Sequence, residues 1–445
     1  MKHLTTHSTL ICILLTMICL VVFWMTISLP RVDNQLVGSD GVHYYAYLPS
    51  FWLDGDLDFS DEYAYFFPSR EVKVGNPPTN KFGIGTALFW SPFFLLAHGV
   101  ALTLQLFGAN VSIDGYGYLY QAVTLSGSIL YGGLALWLTY RLIAFTLSKE
   151  SALVASVFVI FGGNLVYYMT AEPSMSHTVS AFLSSLFFLT WQQRRERENI
   201  VSAAICGLIA GLMALVRPQD AVFLALPFLV RIPHIIERFR TPTYSRLWAA
   251  WMRDCAVAGI VATLVFIPQL LVWQHFYGSP LTSGYQIGGE SFNWLAPKMG
   301  VVLFSAYRGL LVWHPVFALA LVGLWLVRKR NATLASVALL GFLAQWYLIS
   351  SWHSWTQGDA FGGRMFIVCT PIFALGLGYL IEWAIEGTGH IIVYIAGALL
   401  LAWNLLLFIE YRFDLVLRSA PPTWYDLTFR RITFLVEWLA AGRFL

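Results

Sequence analysis

Charge is what this sequence has least of: Asp, Glu, Lys and Arg make up 11% of 445 residues, and the formal net charge is only +3. A charge that small and that scattered excludes a nucleic-acid binder, and the shortage itself excludes an ordinary soluble surface. Cysteine is sparse too. Cys12, Cys19, Cys206, Cys255 and Cys369 all fall inside apolar runs with no C-x-x-C spacing, which excludes a disulfide framework and a cysteine metal site. No repeat recurs at a fixed period. No nucleotide fingerprint is present, because Gly83-Ile84-Gly85 is not followed by the remaining glycine.

What is there is apolar: 58% of the residues are hydrophobic. Runs such as Leu10 to Leu29 and Ile391 to Ile409 are long enough, at about 1.5 Å per residue, to cross a hydrocarbon core about 30 Å thick. In lipid each backbone donor and acceptor must be satisfied within its own segment, so the runs predict helices and an all-α, polytopic integral membrane protein.

The first run lacks an A-x-A-like exit before Asp33, Asn34 and Gln35 and reads as an uncleaved anchor. Basic clusters at Arg141 to Lys149, Arg194 to Arg197, Arg231 to Arg253 and Arg328 to Arg330 belong in the cytoplasm by the positive-inside rule. Counting from a cytoplasmic N-terminus predicts about eleven spans, near 10–29, 118–140, 152–169, 175–191, 200–216, 220–234, 255–273, 309–327, 332–350, 365–383 and 391–409. The whole chain, 1–445, reads as one membrane domain, with a helix bundle over 117–410. One further apolar stretch, 82–107, contains Pro92 and His98 and would reverse every later loop if it crossed. It is expected to lie along or dip into the outer leaflet, within a large extracytoplasmic loop over 30–116. The tail, 411–445, is amphipathic, with Trp424, Phe429, Phe434 and Trp438 among arginines, and is expected on the outer surface.

Most charges outside the cytoplasmic clusters fall at expected outer helix ends: Asp40, His43, Lys81, Glu172, His177, Arg217, Asp220, Arg308, His314, His353, Asp359 and Arg364. Ionisable groups gathered on one membrane face imply a site. In Gly38-Ser39-Asp40-Gly41-Val42-His43-Tyr44, the local sequence favours Ser39 or Asp40 as a helix N-cap, with Asp40 as a general base the sharper alternative. Glu172 and His177 flank Pro173. They fit a helix start favoured by the dipole, or a weak metal pair, which leaves a divalent metal open as a cofactor. Lys81, Arg217, Arg308 and Arg364 stand against the positive-inside trend. They suit a phosphate, or pairing with Asp40, Glu172, Asp220 or Asp359. In Trp352 to Arg364, glycines beside Asp359 and Arg364 allow close backbone approach to a ligand, and the aromatic faces suit sugars and isoprenoid chains.

These features in this order resemble the GT-C superfamily of membrane glycosyltransferases, in particular the branch with protein mannosyltransferases and the aminoarabinose transferases of lipid A. The resemblance spans most of the chain. It is carried by Ser39-Asp40-Gly41 opening a large first outer loop and by Pro77-Pro78-Thr79-Asn80-Lys81 near its end. Glu172-Pro173 in a second outer loop and Phe361-Gly362-Gly363-Arg364 in a late one complete it. It implies an inverting transfer of a monosaccharide from a polyprenyl-phosphate donor to a lipid-linked glycan, lipopolysaccharide or protein, at the outer face of a bacterial inner membrane. It also implies Asp40 as base and Glu172 as the second active-site acid, with His43, Tyr44, Lys81, His177, Arg217, Arg308, His353, Asp359 and Arg364 toward substrate. The Pro-Pro-x-x-Lys order departs from the family's Lys-Pro-Pro, which weakens the assignment of Lys81. The chain has no oligosaccharyltransferase-type Trp-Trp-Asp motif, which argues against transfer of a preassembled glycan. The competing reading is a lipid-linked sugar flippase or secondary transporter, which would place ionisable residues near the midplane.

Overall fold

A computed structural model describes residues 2–29, 35–68, 79–197, 199–239, 241, 244–416, 418 and 420–440. Asp33, Asn34 and the Pro77-Pro78 half of the loop motif lie outside the described residues, as does the side chain of Trp438. The described chain is helical, and its one β feature is an isolated bridge between Phe292 and Trp352.

Among the described residues, eight helical segments are long and apolar enough to cross a membrane. Seven coincide with expected spans, and the eighth is Gly85–Leu106. Of the other four expected spans, 200–216 is a helix with those same bounds, 17 residues long, and 175–191 is His177–Arg194, 18 residues but less apolar. The expected span 152–169 is broken, since Lys149–Phe161 stops at Gly162. The run near 309–327 is interrupted at His314-Pro315, between Leu310–Trp313 and Val316–Arg330. Proline breaks that run because it supplies no N–H and crowds the preceding turn. Asn331, part of a glycosylation-like Asn-Ala-Thr, caps the Ala332–Ser351 helix, its side chain accepting from the Leu334 N–H at 3.1 Å.

The chain forms two compact units. One comprises Met1–Thr9, Leu136–Tyr167 and Phe292–Leu445; the other comprises Leu10–Ala135 and Tyr168–Ser291. In the first, Val316–Arg330 and Thr370–Thr388 cross at small residues: a Cβ on Gly323 would strike the Gly376 carbonyl, and one on Gly376 the Ala320 carbonyl. In the second, Gly207 and Gly211 of Ile200–Val216 lie against the Ala258 and Ala262 backbone of Tyr244–Tyr277. Without a hydrophobic driving force between helices in lipid, close backbone packing at such residues holds a bundle together.

Pro92 does not break Gly85–Leu106, which is continuous over 22 residues. Its register against Tyr118–Ile143 is fixed by four pairs. Tyr131 Oη donates to the Phe89 carbonyl (2.9 Å) and Trp90 Nε1 to Ser128 Oγ (2.8 Å); Gly127 faces the Phe93 ring; His98 Nδ1 meets Tyr120 Oη (2.7 Å). Partner numbers fall as the helix advances, so the two run antiparallel. Phe89, four residues into Gly85–Leu106, therefore sits beside Tyr131, some 13 residues or about 20 Å into Tyr118–Ile143, and the far end overshoots Tyr118.

Candidate functional site

Five short segments of the second unit meet around the start of the Asp40–Pro49 helix. Asp40 is that helix's first residue and is half-buried. Ser39 holds the N-cap position with a left-handed backbone (φ 53°), but its side chain makes no capping bond. The carboxylate at the first helical position is favoured by the helix dipole. Gly41 is required at the next position, because a Cβ there would lie 2.5 Å from Ser174 Cβ and 2.9 Å from the Ser174 carbonyl. Ser176 Oγ also donates to Tyr44 Oη at 3.2 Å. The Asp40 turn and the loop that carries Glu172 are thus pressed together.

That second loop ends at Ser176, where the His177–Arg194 helix begins. Glu172 lies upstream of this first turn rather than in it, and is buried at 6% exposure. His177 is buried against the Tyr168 ring, and its Nδ1 accepts from Arg217 Nη1 at 2.7 Å, so this nitrogen carries no proton. Arg217 ends Ile200–Val216 and is itself buried. With the Gln219 amide turned to satisfy both groups, its oxygen accepts from Arg217 Nε and Nη2 at 3.0 and 2.7 Å. Asp220 is fully buried and takes the Ser180 hydroxyl at 2.6 Å. Among the described residues no three His, Cys, Asp or Glu side chains are grouped so as to hold a metal ion.

The segment after the described start at Thr79 completes the cluster. Asn80 Nδ2 donates to the His43 carbonyl at 2.6 Å, while Asn80 Oδ1 accepts from the Phe82 N–H at 3.0 Å. Gly83 and Gly85 lie on the Leu215 backbone, beside Arg217. Lys81 Nζ pairs with Glu290 at 3.0 Å and stands over the Phe82 ring. Glu290 was not among the carboxylates expected to pair with it. His43 stacks on Phe82 and its Nδ1 meets Tyr63 Oη at 2.9 Å. Burial lowers its pKa to about 4, with Asp40 pulling upward and Lys81 pushing down, so the imidazole is neutral at neutral pH.

Sequence reasoning missed Tyr285. Gly284 packs on Lys81, and the Tyr285 ring meets Phe82 edge-on at 6.1 Å. Its phenol pKa is raised well above the ordinary value by burial, with Tyr44, Asp40 and Glu290 adding and Arg217 opposing. The phenol therefore stays protonated within the field of both Asp40 and Arg217. A turn signal, Gly-Ser-Pro at 278–280, was visible in the sequence, but nothing there says which outer loop it folds against.

The remaining expected site residues belong to the other unit. Arg308 is buried at φ 66°. It donates from Nε to the Ala360 carbonyl at 3.0 Å and from Nη2 to Asp359 at 3.4 Å and to the Arg418 carbonyl, and it stacks over Tyr307. Nε and Nη2 thus hold the late loop and the Arg418 carbonyl, while Nη1 is buried with no hydrogen-bond partner among the described residues. Gly362, at φ 64°, sits on His314, whose Nδ1 meets Asn404 Oδ1 at 2.9 Å. Phe361 stacks on Tyr167 at 4.7 Å. Arg364 is buried beside Gly358. Asp359 and His353 are exposed, and His353 Nε2 meets Ser354 Oγ at 2.9 Å.

No protein-family profile matches this chain, and no curated protein does. Among solved structures it is similar to the oligosaccharyltransferase AglB of the archaeon Archaeoglobus fulgidus in complex with an inhibitory peptide and a dolichol-phosphate. That likeness has 14% identity, a TM-score of 0.47, and covers 96% of this chain and 58% of that one. It is similar to the apo form of the Archaeoglobus fulgidus oligosaccharyltransferase (14%, TM-score 0.47, 93% and 57% covered). It is also similar to the form tethered to an acceptor peptide with an NVT sequon (15%, TM-score 0.45, 95% and 59% covered). The chain spans somewhat over half the length of these structures.

Proposed function

We propose that this chain is an inverting glycosyltransferase of the GT-C type, moving a monosaccharide from a polyprenyl-phosphate donor to a glycan, lipid or protein acceptor at the extracytoplasmic face. The observation that carries the reading is the packing of the Asp40 turn against the Glu172–His177 loop, with Arg217 bonded to that loop's His177.

The chemistry asks for one base and one anion clamp. Asp40 accepts the proton of the acceptor hydroxyl as its oxygen bonds to the anomeric carbon. The bond from that carbon to the phosphate oxygen breaks on the opposite face, which inverts the centre. The departing phosphate is met by Arg217, whose guanidinium is held in one orientation by His177 and Gln219. A preset cation does not have to reorganise as charge develops. Lys81 serves the same phosphate only by leaving Glu290. Tyr285 supplies a neutral donor within the field of both base and clamp. Glu172 orients the acceptor beside Asp40. The isoprenoid tail lies in lipid, and the membrane-facing apolar helices supply that environment.

The test is sugar transfer in proteoliposomes, with a panel of radiolabelled polyprenyl-phosphate monosaccharides, a crude lipid extract as acceptor, and wild type beside Asp40→Asn. Removal of a general base is expected to lower turnover by about 10²- to 10⁴-fold with the thermal midpoint and donor binding unchanged. Transfer at the wild-type rate by Asp40→Asn, or labelled lipid moving between leaflets with no donor consumed, would overturn the reading, the second outcome in favour of a flippase.

A further inference from the structure

Two helices that begin or end at the candidate site run to a second polar cluster. His177–Arg194 starts at His177 and ends at Arg194; Ile200–Val216 ends against Arg217 and starts after Asn199. At about 1.5 Å per residue, 17 or 18 residues separate the two ends by roughly 25 Å, most of a hydrocarbon core. A cavity opens at the far end, lined by Arg194, Arg195, Arg197, Arg231 and Asp254 over an apolar floor that includes Trp191 and Phe228.

The charge there is one-sided. Among the described residues Asp254 is the single carboxylate of the lining, and it is shared between Arg231 (3.0 Å) and Arg253 (2.7 Å). Glu196 is exposed and is not part of the lining. The first turn of the 17-residue helix faces the same space. Asn199 caps the Ser202 N–H at 2.9 Å, and Ser202 Oγ is buried with no hydrogen-bond partner. A helix start gathers backbone donors, and its dipole favours an anion. An unpartnered hydroxyl, a helix start and planar guanidinium forks together match the oxygens of a phosphate, while Trp191, Ala203 and Phe228 match the glycerol and first methylenes of a lipid.

We propose that this cavity binds the headgroup phosphate of an anionic membrane phospholipid, at the membrane face opposite the candidate glycosyl-transfer site. It is assembled from side chains of the helix ends rather than from a loose basic belt, which distinguishes it from the Arg328 to Arg330 cluster. There Arg330 pairs with Glu386 and Lys329 lies over Trp325. The proposal does not depend on the transferase reading.

The test titrates the full-length protein, in micelles of zwitterionic detergent, with phosphatidylglycerol, with phosphatidylcholine and with inorganic phosphate, following the thermal midpoint. Phosphatidylglycerol alone is expected to raise it. A guanidinium near a lipid phosphate contributes about fivefold in affinity, so Arg194→Gln/Arg197→Gln is expected to bind about 25-fold more weakly. Arg328→Gln/Arg330→Gln should bind as wild type. Arg197 is exposed, so Arg197→Gln by itself, with folding intact, should still lose about fivefold. Equal loss in the two double variants, or no loss in either, overturns the site. A rise with inorganic phosphate equal to that with phosphatidylglycerol overturns the lipid as its source.

Discussion

A few single residues decide what the outer segments of the second unit can do. Gly41 is the position where the Asp40 turn touches the Glu172 loop. Gly41→Ala forces a methyl against Ser174, an overpacking that typically costs about 1–3 kcal/mol. The expected result is a lower thermal midpoint with reduced transfer, partly restored in Gly41→Ala/Ser174→Gly. Full additivity of the two substitutions would mean the contact is not the cause. Glu62 is fully buried in the short helix Ser60–Phe66, with Tyr116 Oη on its Oε1 at 3.5 Å. Burial, with Asp54, Asp61 and Asp56 nearby, raises its pKa from 4.5 to about 8. Between those values the folded loop keeps a proton that the unfolded chain releases, so its contribution to stability is greatest below about pH 4.5 and falls as pH rises toward 8. Thermal unfolding at pH 5.5 and pH 8 is expected to show a larger drop in wild type than in Glu62→Gln. A drop of equal size in the variant would remove Glu62 as its source.

At the scale of elements, Gly85–Leu106 decides the topology of everything after it. Its length and composition suffice for a crossing. Its register argues otherwise, since it starts partway along Tyr118–Ile143 and rises past that helix's beginning. The flanking segments also return to one place: Tyr47 Oη donates to the Phe82 carbonyl at 3.0 Å and Tyr45 Oη to the Gly115 carbonyl at 2.8 Å, both from Asp40–Pro49. We therefore expect a re-entrant helix whose two ends connect on the same side. Cysteines introduced at Thr79 and Ser112 should both react with a membrane-impermeant maleimide from outside. A true crossing would leave one of them protected until the membrane is opened.

Across the whole molecule, the sequence passes four times between two units, at Thr9/Leu10, Ala135/Leu136, Tyr167/Tyr168 and Ser291/Phe292. The acidic and basic residues that look like one outer ring in the sequence are shared between them. Asp40, Lys81, Glu172, His177, Arg217 and Asp220 fall in one, and Arg308, His353, Asp359 and Arg364 in the other. Basic clusters set the overall orientation. Alkaline phosphatase fused after Arg197 or after Arg330 is expected to be inactive, and after Gly288 active. Activity after Arg197 would invert the assignment of both faces and place the arginine cavity outside.

The sequence by itself determined that the chain is helical and membrane-bound, because scarcity of charge and runs of apolar residues are summed over hundreds of positions and no local contact can reverse them. It also marked Asp40, Glu172, His177 and Arg217, since a charged side chain in so apolar a chain is conspicuous. Only the tertiary structure decided their partners. Whether Arg217 meets His177, whether Lys81 meets Glu290, and that Tyr285 stands among them are matters of which loops pack together. Loop packing follows from glycine contacts and helix register hundreds of residues apart. Span lengths were likewise only half legible: hydropathy averages over a window, so it passed over the breaks at Gly162 and at His314-Pro315, where one backbone group ends a helix.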